Sequence, residues 1–292
     1  MKYIIGVDGG GTKTAAALAD IDGNILRVSY AAGCNPNDIG FEKAIKNIFS
    51  AVQALDVDIH SIAAIYCGVA GITAADYSAR ANAWLKEQFP QAKSEALHDG
   101  INVIYSAFPE KDGAIVICGT GSSCFMKKGK EIIRIGGYGK FDCIGNGYEI
   151  GKGVIAHALR CLDGRDESGV LNTLVTQKTG TDLLGVLTDL INADKKYIAS
   201  FAPLAFEAYQ KGDIYACTIL EQNFEYLAGL INRACEIYGG EIPVCMAGGI
   251  GKQEITGKII KKYLLYDIPI TALDAEPVFG AVAKAKEILT AN

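Results

Sequence analysis

The 292-residue chain has no apolar run long enough to span a bilayer, and its N-terminus lacks a basic segment followed by an apolar one. Neither membrane insertion nor export is expected, and the expected location is the cytoplasm. Basic clusters are missing too. Lys and Arg number 28 against 33 Asp and Glu, a net charge of −5, which argues against nucleic acid or an anionic membrane as the main partner. None of the nine cysteines forms C-x-x-C, and most, such as Cys67, Cys118 and Cys245, lie in apolar surroundings. They read as reduced core residues rather than disulfides or zinc ligands. The three histidines, His60, His98 and His157, are isolated from one another, which disfavours a His-based metal site. Two nucleotide signatures also fail. Gly6 and Gly11 have Walker A spacing, but Thr12 follows where Lys is required, and Gly145-Asn146-Gly147 meets its next glycine, Gly151, one residue late for a dinucleotide fold.

Half of the residues are hydrophobic, enough for a sizeable core and two domains at this length. Two glycine-rich turns share one shape. Asp8-Gly9-Gly10-Gly11-Thr12-Lys13-Thr14 follows the apolar run Tyr3 to Val7, and Gly119-Thr120-Gly121-Ser122-Ser123 follows Ala114 to Cys118, 108 residues further on. Each reads as strand, turn, strand. Glycines let backbone approach a phosphate closely, successive N–H groups form an anion nest, and Thr and Ser hydroxyls add donors. Two such hairpins facing each other would hold a polyphosphate from both sides.

The elements around them alternate as in an α/β protein. Ile4 to Val7, Ala15 to Asp20 and Ile25 to Tyr30 read as a three-strand meander turning at Asp22-Gly23-Asn24. A helical stripe over Gly40 to Leu55, a strand at Ile62 to Val69, a helix over Ala74 to Phe89 and a short strand Ser94 to His98 follow. A second meander occupies Ala114 to Cys118, Cys124 to Lys128 and Glu131 to Ile135. Helices are then expected around 153–162, 169–178, 182–192, 195–212 and 214–238, with a strand Val244 to Ala247 entering Gly248-Gly249 and an amphipathic helix over Gly280 to Leu289.

This ordered set, completed by Met246-Ala247-Gly248-Gly249-Ile250, resembles the sugar kinase, actin and Hsp70 superfamily. Within it, Gly119-Thr120-Gly121-Ser122-Ser123-Cys124, Gly136-Gly137-Tyr138-Gly139 and Gly147-Tyr148-Glu149-Ile150-Gly151 resemble the N-acetylglucosamine kinase branch, also called the BadF/BadG/BcrA/BcrD ATPase family. The resemblance covers essentially the whole chain. It implies a duplicated, two-domain ribonuclease H-like fold of the actin and hexokinase type, with the active site in the interdomain cleft. The domains would be 1–108 and 109–279, with a C-terminal helix at about 280–292 packing back on the first. A homodimer is implied as well.

Phosphoryl transfer to a sugar hydroxyl needs Mg2+ to neutralise the phosphates, amides to hold them in line, and a carboxylate to accept the hydroxyl proton. Asp8, just before the triple glycine, is placed to face Mg2+ through water, and Thr12 and Lys13 to contact phosphate alongside Gly9, Gly10 and Gly11. Asp99, closing a strand before Gly100, is the candidate general base, a role the resemblance also implies. The resemblance assigns Thr120, Gly121, Ser122, Gly248 and Gly249 to ATP. To the sugar it assigns Asn35, Gly71, Asp99, Thr120 and Tyr138, the last offering an aromatic face to an acetyl methyl or an apolar sugar face. The position of transfer that it implies is the 6-hydroxyl.

One segment departs from the family pattern. Relatives carry a sugar-binding aspartate in Gly-Asp-x-Gly-Ser-Gly-Tyr, whereas anchoring on Gly147-Tyr148 here puts Cys143 at the aspartate position and Asn146 at the serine. Asp142, one residue early, substitutes only if the loop is shortened by one. A thiol cannot hold two sugar hydroxyls as a carboxylate does, so glucosamine and N-acetylmuramic acid stand beside N-acetylglucosamine as acceptors. Two other readings stay open. One is an ATPase activating a partner enzyme through an iron–sulfur cluster, for which Cys34, Cys143 and Cys161 are a foothold. The other is an ATP or sugar sensor without catalysis, against which both phosphate loops and Asp99 argue.

Overall fold

The computed structural model describes residues 1–142 and 144–291. The described residues divide into two compact units, one of residues 1–113, 129–132 and 274–291, the other of Ala114–Lys128 and Ile133–Leu273.

The first unit is built on a five-stranded sheet of order β3-β2-β1-β4-β5. The strands are β1 (Tyr3–Gly9), β2 (Lys13–Asp20), β3 (Ile25–Ala32), β4 (Ile62–Val69) and β5 (Lys93–His98). β1 runs antiparallel to β2 and parallel to β4, and Asp8 sits opposite both Ala15 and Gly68. All eight residues of β4 are buried, because helices cover both faces of the sheet. Side chains alternate across the strands. Ile5 and Val7 face Ile45, Ile48 and Leu85 of helices Phe41–Gln53 and Tyr77–Gln88. Ile4, Ala15 and Ala17 face Val278, Ala281 and Val282 of helix Pro277–Thr290.

That second contact depends on Gly6. A Cβ there would stand 2.3 Å from the backbone nitrogen of Val282. The helix cannot retreat without opening the layer of small side chains beside it, so Gly6→Ala is expected to cost about 1–3 kcal/mol. A fall in melting temperature of several degrees checks this; an unchanged melt would mean that the helix is not held against β1.

A second sheet, carried by the second unit except for Gly113, Glu131 and Ile132 at strand starts, has the order β10-β9-β6-β7-β8 and is formed by β6 (Gly113–Cys118), β7 (Ser122–Lys128), β8 (Glu131–Ile135), β9 (Val244–Ala247) and β10 (Ile270–Ala272). Read from the meander inward, the two orders are the same, so the repetition seen in the sequence is a duplicated topology. The structure is an α/β protein with two such sheets. Helix Ile214–Tyr238 buries Leu220, Phe224, Leu227 and Ile231 in this unit's core.

Several elements differ from the sequence expectation. The helical stretch 195–212 is two helices, Lys195–Ala199 and Ala202–Gln210, with Pro203 in the first turn of the second, where proline's missing N–H costs nothing. The helix near 182–192 shortens to Leu187–Asn192. Helix Gly100–Ala107, which the sequence pattern does not signal, has Asp99 at its N-cap position, so β5 leads into a helix rather than an ordinary turn.

Candidate active site

In the first unit, the β1–β2 hairpin is closed by Gly10 N–H donating to Lys13 O at 2.9 Å, and Cys34 N–H anchors it by donating to Gly10 O at 2.9 Å. The loop is pressed from one side. A Cβ on Gly9 would lie 2.4 Å from Cys34 Sγ, and one on Gly33 would lie 2.1 Å from Gly11 O. Gly11, Thr12 and Lys13 are exposed, and among the described residues the N–H groups of Gly11 and Thr12 find no backbone partner. Such amides are ready donors for an anion. Lys13 Nζ lies 5.3 Å above the Tyr30 ring, beside the loop.

Asp8 ends up half-buried, and its carboxyl is pushed up from the ordinary 3.8 to about 6. Burial is the main cause. The hydrogen bond from Asn102 opposes it, the Asp99 charge adds to it, and Lys13 and Glu276 exert smaller effects of opposite sign. Asn102 Nδ2 donates to Asp8 Oδ1 at 2.6 Å, leaving Oδ2 without a hydrogen bond among the described residues. No three His, Cys, Asp or Glu side chains are grouped as a metal cage among the described residues. Mg2+ needs none, since it is held by one or two carboxylates together with phosphates and water. A hard oxygen donor with one oxygen still open therefore fits that ion.

Asp99 occupies the N-cap of helix Gly100–Ala107 but makes no side-chain cap bond. Its carboxylate, about 35% exposed, lies 3.1 Å from His98 Nδ1. Gly100 N–H also points at that nitrogen, at 3.0 Å. The nitrogen has one site, so it accepts from Gly100 when unprotonated and donates to Asp99 when protonated. Asp99 is thus a partly exposed carboxylate, uncommitted to its own helix, on the unit that carries Asp8. Asn35 and Gly71 also meet in this unit. Asn35 Oδ1 accepts from Asn37 N–H at 3.1 Å, Asn37 Nδ2 donates to Gly71 O at 3.1 Å, and a Cβ on Gly71 would lie 2.2 Å from Asn35 Oδ1.

In the second unit, the loop between β6 and β7 is tied to helix Gly147–Leu162. Gly119 N–H donates to Gly121 O at 2.9 Å, and Gly147 N–H donates to Gly119 O at 2.8 Å. Thr120 and Gly121 are exposed. Ser122 and Asn146 are instead turned inward. Ser122 Oγ donates to Ile144 O at 2.6 Å, and the fully buried Asn146 caps the helix through Glu149 N–H at 3.1 Å while reaching Ser122 Oγ at 3.3 Å. The strand β9 is followed by Gly248, where φ is +86° and a Cβ would lie 2.3 Å from Cys118 O.

Beside this loop opens a cavity of about 600 Å3. Gly119, Thr120, Gly147 and Gly249 form one wall, Phe206 and Ile250 give apolar surface, and Glu207, Gln210 and Gln253 give polar groups. It combines an apolar wall with a few convergent polar groups, as a small-molecule site does. Helix Ala202–Gln210 supplies Phe206, Glu207 and Gln210, which no motif in the sequence singles out. Further along, Tyr138 is 61% exposed, with the Arg134 guanidinium 4.8 Å above its ring. Arg134 also holds the preceding glycines, donating to Gly136 O and Gly137 O. Asp142 accepts a hydrogen bond from Tyr226 OH. Cys143 lies outside the described residues.

Residues 5–283 match the BadF/BadG/BcrA/BcrD ATPase family. The chain belongs to that family. It is similar to the N-acetylmuramic acid/N-acetylglucosamine kinase of Clostridium acetobutylicum, with 27% identity covering 98% of this chain and 99% of that one. It is likewise similar to the N-acetyl-D-glucosamine kinase of Dictyostelium discoideum, with 26% identity covering 97% of this chain and 98% of that one. A solved structure from Chromobacterium violaceum, carrying a provisional N-acetylglucosamine kinase assignment, superposes with a TM-score of 0.74 over 99% of both chains at 23% identity. The fold is that of the sugar kinases with an actin-like ATPase architecture. Among the described residues no helix is long and apolar enough to cross a membrane.

Proposed function

We propose that this chain transfers the γ-phosphoryl group of ATP to a hydroxyl of an amino sugar, N-acetylglucosamine before glucosamine or N-acetylmuramic acid. The observation that carries this reading is the pairing of Asp99, whose carboxylate caps nothing, with a half-buried Asp8 of raised proton affinity beside loop amides that lack backbone partners. Family membership and the named kinases support it. In the step, the sugar hydroxyl oxygen forms a bond to the γ-phosphorus, its proton passes to Asp99, and the bond to ADP breaks. Gly11, Thr12 and Lys13 fix phosphate oxygens in one unit; Thr120 and Gly121 offer the same groups in the other. Asp8 is the residue that would hold Mg2+, which supplies neutralisation of phosphate charge. The cavity lined by Phe206 and Ile250 fits the nucleoside of ATP. Asn35, Gly71, Tyr138 and Asp142 are the residues we assign to the sugar.

The activator reading meets an obstacle at Cys34. Its side chain is fully buried, with Sγ packed against Gly9, and is closed to a cluster held jointly with a second chain. The same proposal includes a cytoplasmic homodimer, which light scattering on the purified protein checks.

The test is coupled ADP release with ATP, Mg2+ and a panel of N-acetylglucosamine, glucosamine, N-acetylmuramic acid, N-acetylmannosamine and glucose. Release that depends on an amino sugar is expected, strongest with N-acetylglucosamine. Sugar-independent hydrolysis by an iron-containing preparation would replace the kinase with the activator. Nucleotide binding with no turnover on any sugar would leave a sensor.

A further inference from the structure

We infer that Asn102 is a positioning residue for phosphoryl transfer, holding the Asp8 carboxylate in one orientation and tying it to the helix that begins at Asp99. The inference rests on the kinase reading above, and Asn102 belongs to none of the motifs that suggested that reading.

Asn102 is fully buried. Its Nδ2 carries two hydrogens and faces three acceptors: Asp8 Oδ1 at 2.6 Å, Val7 O at 3.3 Å and Gly68 O at 3.3 Å. The short, charge-assisted bond goes to Asp8, and the two carbonyls, on adjacent strands β1 and β4, share the second hydrogen. This arrangement fixes the amide's sense. Turning it over would set an oxygen against a carboxylate and two carbonyls.

The other end of the amide is telling. Asn102 Oδ1 is buried with no hydrogen-bond partner, a penalty that a packing role would not require, since an apolar side chain of the same shape would avoid it. Its surroundings also permit little movement. A Cβ on Gly68 would lie 2.0 Å from Asn102 Oδ1, and one on Gly280 would lie 1.9 Å from Asn102 O. Ser106 Oγ donates to that same backbone oxygen at 2.8 Å.

The link to Asp99 is direct. Asn102 N–H donates to Asp99 O at 3.0 Å in the first turn of the helix. The proton-accepting carboxylate and the clamp on Asp8 therefore sit one helical turn apart on the same element. With Oδ1 of Asp8 engaged by Asn102, Oδ2 is the oxygen left to face a cation.

The experiment is a double-mutant cycle with Asn102→Ala and Asp8→Asn. Each protein is titrated with ADP by calorimetry, with and without Mg2+, and assayed for kcat and KM. Asn102→Ala is expected to lower kcat roughly 10- to 100-fold, the usual effect of removing a partner that orients a metal-facing ligand, with the sugar KM nearly unchanged. The gain in ADP affinity on adding Mg2+ should shrink, while metal-free ADP affinity stays as in the wild type. Adding Asn102→Ala to Asp8→Asn should cost nothing further. An unchanged kcat and Mg2+ gain, or equal losses in both backgrounds, would overturn the proposal. Asn102→Ser, which keeps a hydroxyl too short to reach Asp8, repeats the cycle if the alanine variant does not fold. Failure of both to fold assigns Asn102 to the fold alone and also overturns the proposal. The calorimetric arm needs no transfer, so it reads Asn102 even if wild-type protein phosphorylates no sugar, an outcome that would sink the kinase reading instead.

Discussion

Replacing Asp99 with Asn is expected to lower sugar-dependent transfer roughly 10²- to 10⁴-fold, the range that a positioned general base contributes, while ATP affinity stays within about twofold. The structure makes this substitution unusually clean. Asp99 stands at a helix N-cap without using its side chain as a cap, so Asn removes the proton acceptor without removing a helix bond. Asn is itself a favourable cap residue, and the backbone bond from Asn102 N–H to Asp99 O is retained. The melting temperature should therefore hold or rise slightly. Two neighbours lose a charged partner, His98 through its 3.1 Å contact with the carboxylate and Asp8, whose carboxyl the Asp99 charge helps to raise. Steady-state kinetics with the preferred amino sugar, together with ATP titration, separate the outcomes. Loss of kcat with ATP affinity intact is the expected result. Normal transfer would remove Asp99 from the mechanism, and a parallel loss of ATP binding would make it a nucleotide ligand instead.

Much of what positions these groups is legible in the amino-acid pattern itself, and what is hidden has physical reasons. Ile62 to Val69 reads as a buried strand because its apolar run is short and bounded, and β4 spans those residues. Both meanders are visible because turns such as Asp22-Gly23-Asn24 and Lys128-Gly129-Lys130 punctuate them, with Gly23 at φ +94° and Gly129 at φ +59°. Helix Gly100–Ala107 is another matter. Ile101, Val103, Ile104 and Tyr105 crowd eight residues, so no stripe of period 3.6 emerges, and Asp99-Gly100 carries a turn signal. With that helix unseen, Asn102 is a single polar residue in an apolar stretch. Its role depends on tertiary contacts with β1 and β4 that no local pattern encodes. The cavity wall is hidden for a similar reason. Phe206 and Gln210 come from a helix more than 80 residues beyond the loop at Gly119 and acquire meaning only when the chain returns to it. The glycines act in the opposite sense: Gly9 and Gly248 are conspicuous in the sequence, and both sit where a Cβ would collide with a neighbouring element.

Asp8→Asn should make the ligand-free protein more stable at neutral pH while lowering transfer by roughly two or more orders of magnitude through the loss of the cation's charge partner. The sign follows from the direction of the shift. Burial raises the Asp8 carboxyl from 3.8 to about 6 in the folded protein, so the folded chain binds this proton more tightly than the unfolded chain does. The favourable contribution is fully present below pH 4 and lost as the pH rises through 6. At pH 8 the carboxylate is ionised in both states, and the fold bears its desolvation. Asn has the same shape, carries no charge, and still accepts the bond from Asn102 Nδ2. The gain in unfolding free energy at pH 8 is at most about 3 kcal/mol, the cost of holding ionised a carboxyl raised from 3.8 to about 6, and it should vanish at pH 4. Thermal melts in EDTA at both values read this directly. Mg2+ with ADP should then stabilise the wild type more than the variant, because only the wild type regains by coordination what burial costs it. Equal melting temperatures at pH 8 would mean that Asp8 is hydrated in the free protein. A less stable variant would mean that the ionised carboxylate is a structural partner of the loop. The expected result instead places Asp8 among residues kept for function at a cost to the fold.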